Sequence, residues 1–223
     1  MYKRQIVDIT GDLEFAYGNI QNKNIGYIYL GGMDDTDPNQ IDNVINDLKD
    51  YPAIILDIRN NGGGRDLFAA RIASAFADKT EFIYTVQNRN GPNQTDFEAP
   101  RKFYAQIVGE YQYTKPVIIL TDGYVASAAE IFLLHMKAFD HVVQMGDYTT
   151  GDFSDGSMRR FLPNGWEYQY SIQMFLTPDG KSLDGIGHQP DISIRNTEAD
   201  IAAGNDVVLE KAFDYLLKEH GIK

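Results

Sequence analysis

Residues 53–64 read Ala-Ile-Ile-Leu-Asp-Ile-Arg-Asn-Asn-Gly-Gly-Gly, and the fold class turns on this stretch. Pro52 introduces Ala53 to Ile58 as an apolar run broken only by Asp57, the pattern of a strand covered on both faces. The turn cluster Asn60-Asn61-Gly62-Gly63-Gly64 ends it, and a helix is expected from Asp66 to about Ala77. Upstream, Gly26 to Leu30 (GYIYL) reads as a strand closed by Gly31-Gly32 and an acidic turn at Asp34-Asp35. Between the two strands, Asp37 as N-cap and Pro38 open a helix with Ile41, Val44, Ile45 and Leu48 on one face. Downstream the order repeats: strand Val117 to Thr121, turn Asp122-Gly123, and a helix from Ala126 to Phe139 with Ile131 and Leu134 inward. A strand near Glu81 to Val86 and an exposed polar loop from Gln87 to Ala99 lie between. His141 to Met145 is a further short strand, while Phe161–Trp166 and Thr177–Gly180 carry hairpin turn chemistry. A last amphipathic helix, with Val208, Ala212, Tyr215 and Leu216 on one face, stops at Gly221. Alternating strands and helices predict a layered α/β domain with a mixed, partly parallel sheet and antiparallel hairpins in the second half.

The 223 residues suit one large domain, and 43% hydrophobic against 23% charged residues is enough to build an ordinary core. Twenty basic against 32 acidic residues give a net charge of −12, which repels nucleic acid and anionic lipid. With no cysteine, disulfides, thiolate zinc sites and cysteine nucleophiles are excluded. Apolar runs such as Val117 to Leu120 are far below the ~20 residues of a membrane helix, so no span is expected. Met1 to Gln5 (MYKRQ) lacks the pattern of a signal peptide and looks like translated adapter sequence. Residues 1–25 are therefore expected to be the end of a longer N-terminal segment, and 26–223 the main domain.

Two places stand out chemically. Gly62–Gly64 follows a buried strand and precedes a helix, so its amides can face an anion, although it has no Walker pattern and also suits a plain chain reversal. Ser127 stands where a strand turns into a helix, between the small residues Ala126 and Ala128. Its hydroxyl and the Ala128 amide would lie at the positive end of the helix dipole; the plainer role is a helix-capping serine. His135, His141, His188 and His220 show no metal-ligand spacing, so neither metal nor cofactor is expected. His135 is two turns past Ser127, ~12 Å along the axis, too far to take its proton. Asp147, Asp152, Asp155 and Asp184 read first as solvated loop acids.

Five segments in order, GYIYL, AIILDIRNNGGG, PVIILTDGYVASAAEIF, VVQMGDYTTG and LTPDGKSLDGIGHQPDI, resemble the C-terminal processing (tail-specific) family of serine peptidases from about Gly26 to Ile194. The resemblance implies a crotonase-like fold, Ser127 of VASAAE as nucleophile, and the Gly64 and Ala128 amides as oxyanion hole. It also implies protein or peptide substrates bound by strand addition near an unstructured C-terminus, no cofactor, and an extracytoplasmic setting. One position departs: the processing branch has a lysine where this chain has Asp152, so a Ser-Lys dyad is not expected there. A second branch, resembling the tricorn protease core, pairs the serine with a glutamate where Asp184 stands and with a histidine from a preceding segment. Asp184 is then the acid that supports a histidine expected upstream of residue 1. The alternative is a catalytically inactive binding module, as in the related interphotoreceptor retinoid-binding proteins, with some of the 12 Phe and 14 Tyr lining an apolar pocket. A crotonase-type thioester enzyme is the weakest reading.

Overall fold

The computed structural model describes residues 6–12, 14–20, 23–34, 37–154 and 158–222. Met1–Gln5, Asp35 and Asp155, all invoked above, lie outside them. The chain runs β1 (Ile6–Gly11), β2 (Phe15–Ile20), β3 (Gly26–Leu30), α1 (Ile41–Leu48), β4 (Ile54–Asp57), α2 (Asp66–Ser74), β5 (Glu81–Asn88) and β6 (Arg101–Ala105). It continues through β7 (Val117–Thr121), α3 (Ala128–Met136), β8 (Val142–Gly146), β9 (Met158–Phe161), β10 (Glu167–Tyr170), β11 (Gln173–Leu176), β12 (Ile192–Ser193), α4 (Glu198–Ala203) and α5 (Val207–His220).

The main sheet has the order β1-β2-β3-β4-β7-β8-β12. Its first two pairings are antiparallel and the rest, from β3·β4 to β8·β12, parallel. This is the mixed α/β architecture expected. Alternation along the central strands divides the core. Ile54, Leu56, Val117 and Ile119 face the side covered by α1, α2 and α3, while Ala53, Ile55, Ile118 and Leu120 face α5. Both faces are buried, which is why β4 and β7 read as unbroken apolar runs. Asp57, the polar exception, is paired: Arg59 bridges it (2.5 Å) and Asp206 (2.9 Å), and Asp206 caps α5, so the ion pairs tie that helix to the sheet.

Several local expectations change. The weakly patterned first 25 residues supply β1 and β2, and β2 pairs with β3 within the main sheet. Asp37 does cap, but it caps a 3-10 turn at Pro38–Gln40 that leads into α1. The loop expected at Gln87 begins later, because β5 runs through Asn88, and β6 pairs with it beyond the loop. The Phe161–Trp166 hairpin is present as β9·β10. The Thr177–Gly180 turn closes on itself, Thr177 N donating to the Lys181 carbonyl at 2.9 Å, without a return strand. The strand before it, β11, pairs instead with β5.

Candidate active site

Parallel neighbours β4, β7 and β8 point the same way, so the loops that leave their carboxyl ends meet on one edge of the sheet. In open α/β sheets ligands bind at such edges. The loops are 58–65, 122–127 and 147–153, and main-chain bonds join them. Ala126 N donates to the Asn61 carbonyl (3.1 Å), Thr150 N to that of Val125 (2.9 Å) and Ser127 N to that of Asp152 (2.9 Å). The Asp122 carboxylate also accepts from Asn60 N at 3.1 Å.

The glycine loop is shaped by Asn61, which is fully buried. Its Nδ2 donates to the Leu30 carbonyl and its Oδ1 accepts from Gly63 N, both at 2.9 Å. Gly63 has φ +101°, and a Cβ there would stand 2.7 Å from Ser127 Cβ and 2.9 Å from Ala128 N. Only glycine allows this approach. Met33 bonds to the carbonyl of Gly63 (2.9 Å) and to the amide of Arg65 (3.0 Å), so the intervening Gly64 N–H faces the other way. Among the described residues it donates to no backbone acceptor.

Ser127 occupies the N-cap position of α3, yet its side chain makes no capping bond. The capping-serine alternative is therefore not what the fold does with it. Its backbone sits at φ 55°, ψ −126°, a conformation that costs a non-glycine residue about 1–3 kcal/mol. Ser127 and Glu130 have the S-x-x-E spacing of a capping box, and in one the serine hydroxyl would be taken up by the helix. Among the described residues the elbow leaves that hydroxyl uncommitted. The next amide, Ala128 N, is one of the unpaired donors of a helix start and lies beside the Gly63 Cα. The structure thus brings Gly63–Gly64, Ser127 and Ala128 together.

The third loop carries the acids. Glu130, fully buried, accepts from Thr149 Oγ1 (2.5 Å) and Gly151 N (2.8 Å) on Oε1, and from Asp152 N (2.7 Å) on Oε2. Burial raises its pKa, and these hydrogen bonds oppose the rise. His188 is buried behind it, Nε2 placed 2.9 Å from the Glu130 carbonyl and its ring 5.3 Å from that of Phe153. Burial pushes the His188 pKa down to about 4, and does the same to His135, which lies edge-on to Tyr84 in the core. Asp184, half-buried, accepts from Phe153 N (3.0 Å) and Ser154 Oγ. It is thus hooked to the chain one residue past Asp152, with no direct bond to Ser127. The Asp152 side chain is exposed where a lysine would have been needed. Among the described residues no histidine or lysine is bonded to Ser127 Oγ, and no group of acidic and histidine side chains could hold a metal ion. Gly63 lies within the glycine triplet singled out from the sequence, whereas no role was expected of Asn61, Glu130 or Thr149. Only the S-x-x-E spacing and the asparagine before the glycines hinted at them.

A strained serine at a helix start, set against glycine amides at the carboxyl edge of a parallel sheet, is the constellation of serine-dependent hydrolases. Residues 24–194 match Peptidase family S41, and the chain belongs to that family. It is 26% identical over 185 residues to the carboxy-terminal processing protease CtpA of Bacillus subtilis, covering 82% of this chain and 38% of that protein. It is 32% identical over 164 residues to a carboxy-terminal-processing protease of Bartonella bacilliformis, covering 73% and 35%. The chain thus spans well under half the length of these relatives. A crystal structure of a Parabacteroides merdae protein put forward as a peptidase superposes with TM-score 0.86 at 29% identity, over 96% of this chain and 68% of that one.

Proposed function

We propose that this chain carries the nucleophile and oxyanion-binding parts of a serine endopeptidase of the C-terminal processing type. The observation that carries the reading is the uncommitted Ser127 hydroxyl, held in a strained elbow against Gly63 and the unpaired Ala128 amide. Ser127 Oγ attacks a peptide carbonyl carbon while a base takes its proton. The carbonyl oxygen becomes the oxyanion held by the Gly64 and Ala128 amides. Collapse of the tetrahedral intermediate expels the amine, which leaves with that proton, and water then releases the acyl group. Asp184 is read as the acid that orients an imidazole and stabilises its cation, the imidazole coming from outside the described residues. Protein or peptide chains are the substrates, the acidic surface disfavours nucleic acid, and the same reading puts the protein outside the cytoplasm. No described helix is long and apolar enough to cross a membrane.

The test is intact mass after fluorophosphonate treatment of this chain and of a form extended upstream in its gene, with Ser127→Ala as control. A single adduct at Ser127 in either form is the expected result. A folded protein unlabelled in both forms would overturn the reading in favour of a non-catalytic binding module.

A further inference from the structure

Glu130 stands apart because its burial is not required by packing. Its helix neighbours Ala129, Ile131, Phe132 and Leu133 are all buried, so an apolar side chain would suit α3 as well. No described lysine or arginine pairs with it; three neutral donors hold it instead. A carboxylate at such a place is costly unless its lone pairs are used; its three hydrogen bonds come from one segment, Thr149 to Asp152, and the Ser127 amide itself adds a smaller direct interaction. The other side of that segment, the Asp152 carbonyl, accepts the Ser127 amide at 2.9 Å. The path therefore runs from Glu130 Oε2 to Asp152 N–H, through that residue to its carbonyl, and on to the N–H of the strained serine three positions before Glu130. Thr149 lengthens the brace, since its Oγ1 also accepts from His188 N at 2.7 Å.

We propose that Glu130 is a positioning residue: its carboxylate fixes the 149–152 loop so that the Asp152 carbonyl holds the Ser127 amide and keeps the serine in its elbow. The inference rests on reading Ser127 as the nucleophile, and it deepens that reading. An elbow in a disfavoured backbone conformation persists only where its surroundings over-determine it, and this brace does so. It acts on the orientation of Oγ and of the following Ala128 amide, without touching a substrate.

The test uses Glu130→Gln, which fills the same space but places an NH2 where one of the carboxylate oxygens accepts. Hydrogen exchange at the Ser127 and Asp152 amides is expected to speed up at least tenfold relative to β4 and β7 amides. The maximal rate of fluorophosphonate labelling per folded molecule is expected to fall at least tenfold, with the reagent concentration for half-maximal rate unchanged. Thr149→Val removes one donor of three and gives an intermediate acceleration; it serves in place of Glu130→Gln should that variant fail to fold. Ile45→Ala, a distant core truncation in α1, lowers Tm without either local effect. Wild-type exchange at Ser127 in both brace variants, or equal changes in Ile45→Ala, would overturn the proposal. Accelerated exchange in the brace variants of a protein whose wild type never labels would leave the brace standing and remove the nucleophile reading.

Discussion

The two sides of the candidate site are built differently. On the Ser127 side, three loops are cross-linked through main-chain bonds, and the two proposed oxyanion donors, the Gly64 and Ala128 amides, belong to the backbone. On the Asp184 side the groups are side chains: an exposed Asp152, and a half-buried Asp184 bonded to Phe153 and Ser154. Backbone donors are fixed by the fold and survive drift in sequence, whereas a proton-transfer group has to be supplied residue by residue. On the proposed reading, the backbone part of the site can therefore persist where the proton-transfer side chain differs.

The comparison breaks most completely at Ser127. Ser127→Ala is expected to lower hydrolysis or labelling by on the order of 10⁶-fold, the size seen when a nucleophilic serine is removed. Thermal unfolding should hardly change or should rise, because alanine makes no hydroxyl to bury and the side chain caps nothing. Next is Gly63→Ala. Its Cβ would meet backbone atoms of Ala126 and Ala128 at 2.8 and 2.9 Å as well as Ser127 Cβ, at a φ of +101°. None of these can swing away. A loss of about 10²–10³-fold in labelling is expected from the displaced amides, with about 1–3 kcal/mol of stability lost in urea titrations. A Gly63→Ala protein that labels at the wild-type rate would show that the glycine loop only turns the chain.

Asp184→Asn probes the other side and should cost less, about 10²-fold in turnover. The amide oxygen can keep the bond from Phe153 N, so the loop stays in place while the negative charge proposed to support an imidazole is lost. The diagnostic is therefore turnover at unchanged Tm. A parallel fall of both would reduce Asp184 to a loop hook.

What the sequence made legible follows the same division. Strands β4 and β7 were readable because burial on both faces makes every position apolar, and α1 because its stripe repeats at helical spacing. Strand β2 (FAYGNI) carries a glycine and an asparagine, and β6 (RKFYA) is largely exposed, so neither shows a strand pattern on its own; pairing with β3 and β5 creates them. Thr-Pro-Asp-Gly at 177–180 spells a turn correctly, but what β11 pairs with is decided by β5, about 85 residues earlier, and no local pattern records that. At the site, Ser127 is marked by its place between strand and helix. Its strain is not, because the strain depends on Asp152, 25 positions later. Glu130 was hidden for the same reason: its partners are 19 to 22 residues away.

The smallest expected effect concerns the residue that joins the two sides. His188 touches Glu130 through Nε2 and Phe153 through its ring, and its amide donates to Thr149, so its protonation bears on brace and acid loop together. Its folded pKa is lowered by burial to about 4, as is that of His135. Between about 4 and the ordinary value of 6.5 the unfolded chain then binds more protons than the folded one, so stability is complete above that window and falls as pH drops through it. Each histidine contributes up to about 1.4 kcal/mol per pH unit there. Glu130, its pKa raised, works in the opposite sense, gaining its proton first in the folded state, and so offsets part of the loss on acidification. Urea titrations at pH 7 and pH 5 should give the lower stability at pH 5, and His188→Gln should flatten that dependence by about one proton. If His188→Gln leaves the slope unchanged while His135→Gln removes it, the acid sensitivity belongs to the core beneath β5 and the junction behind Glu130 is insensitive to pH.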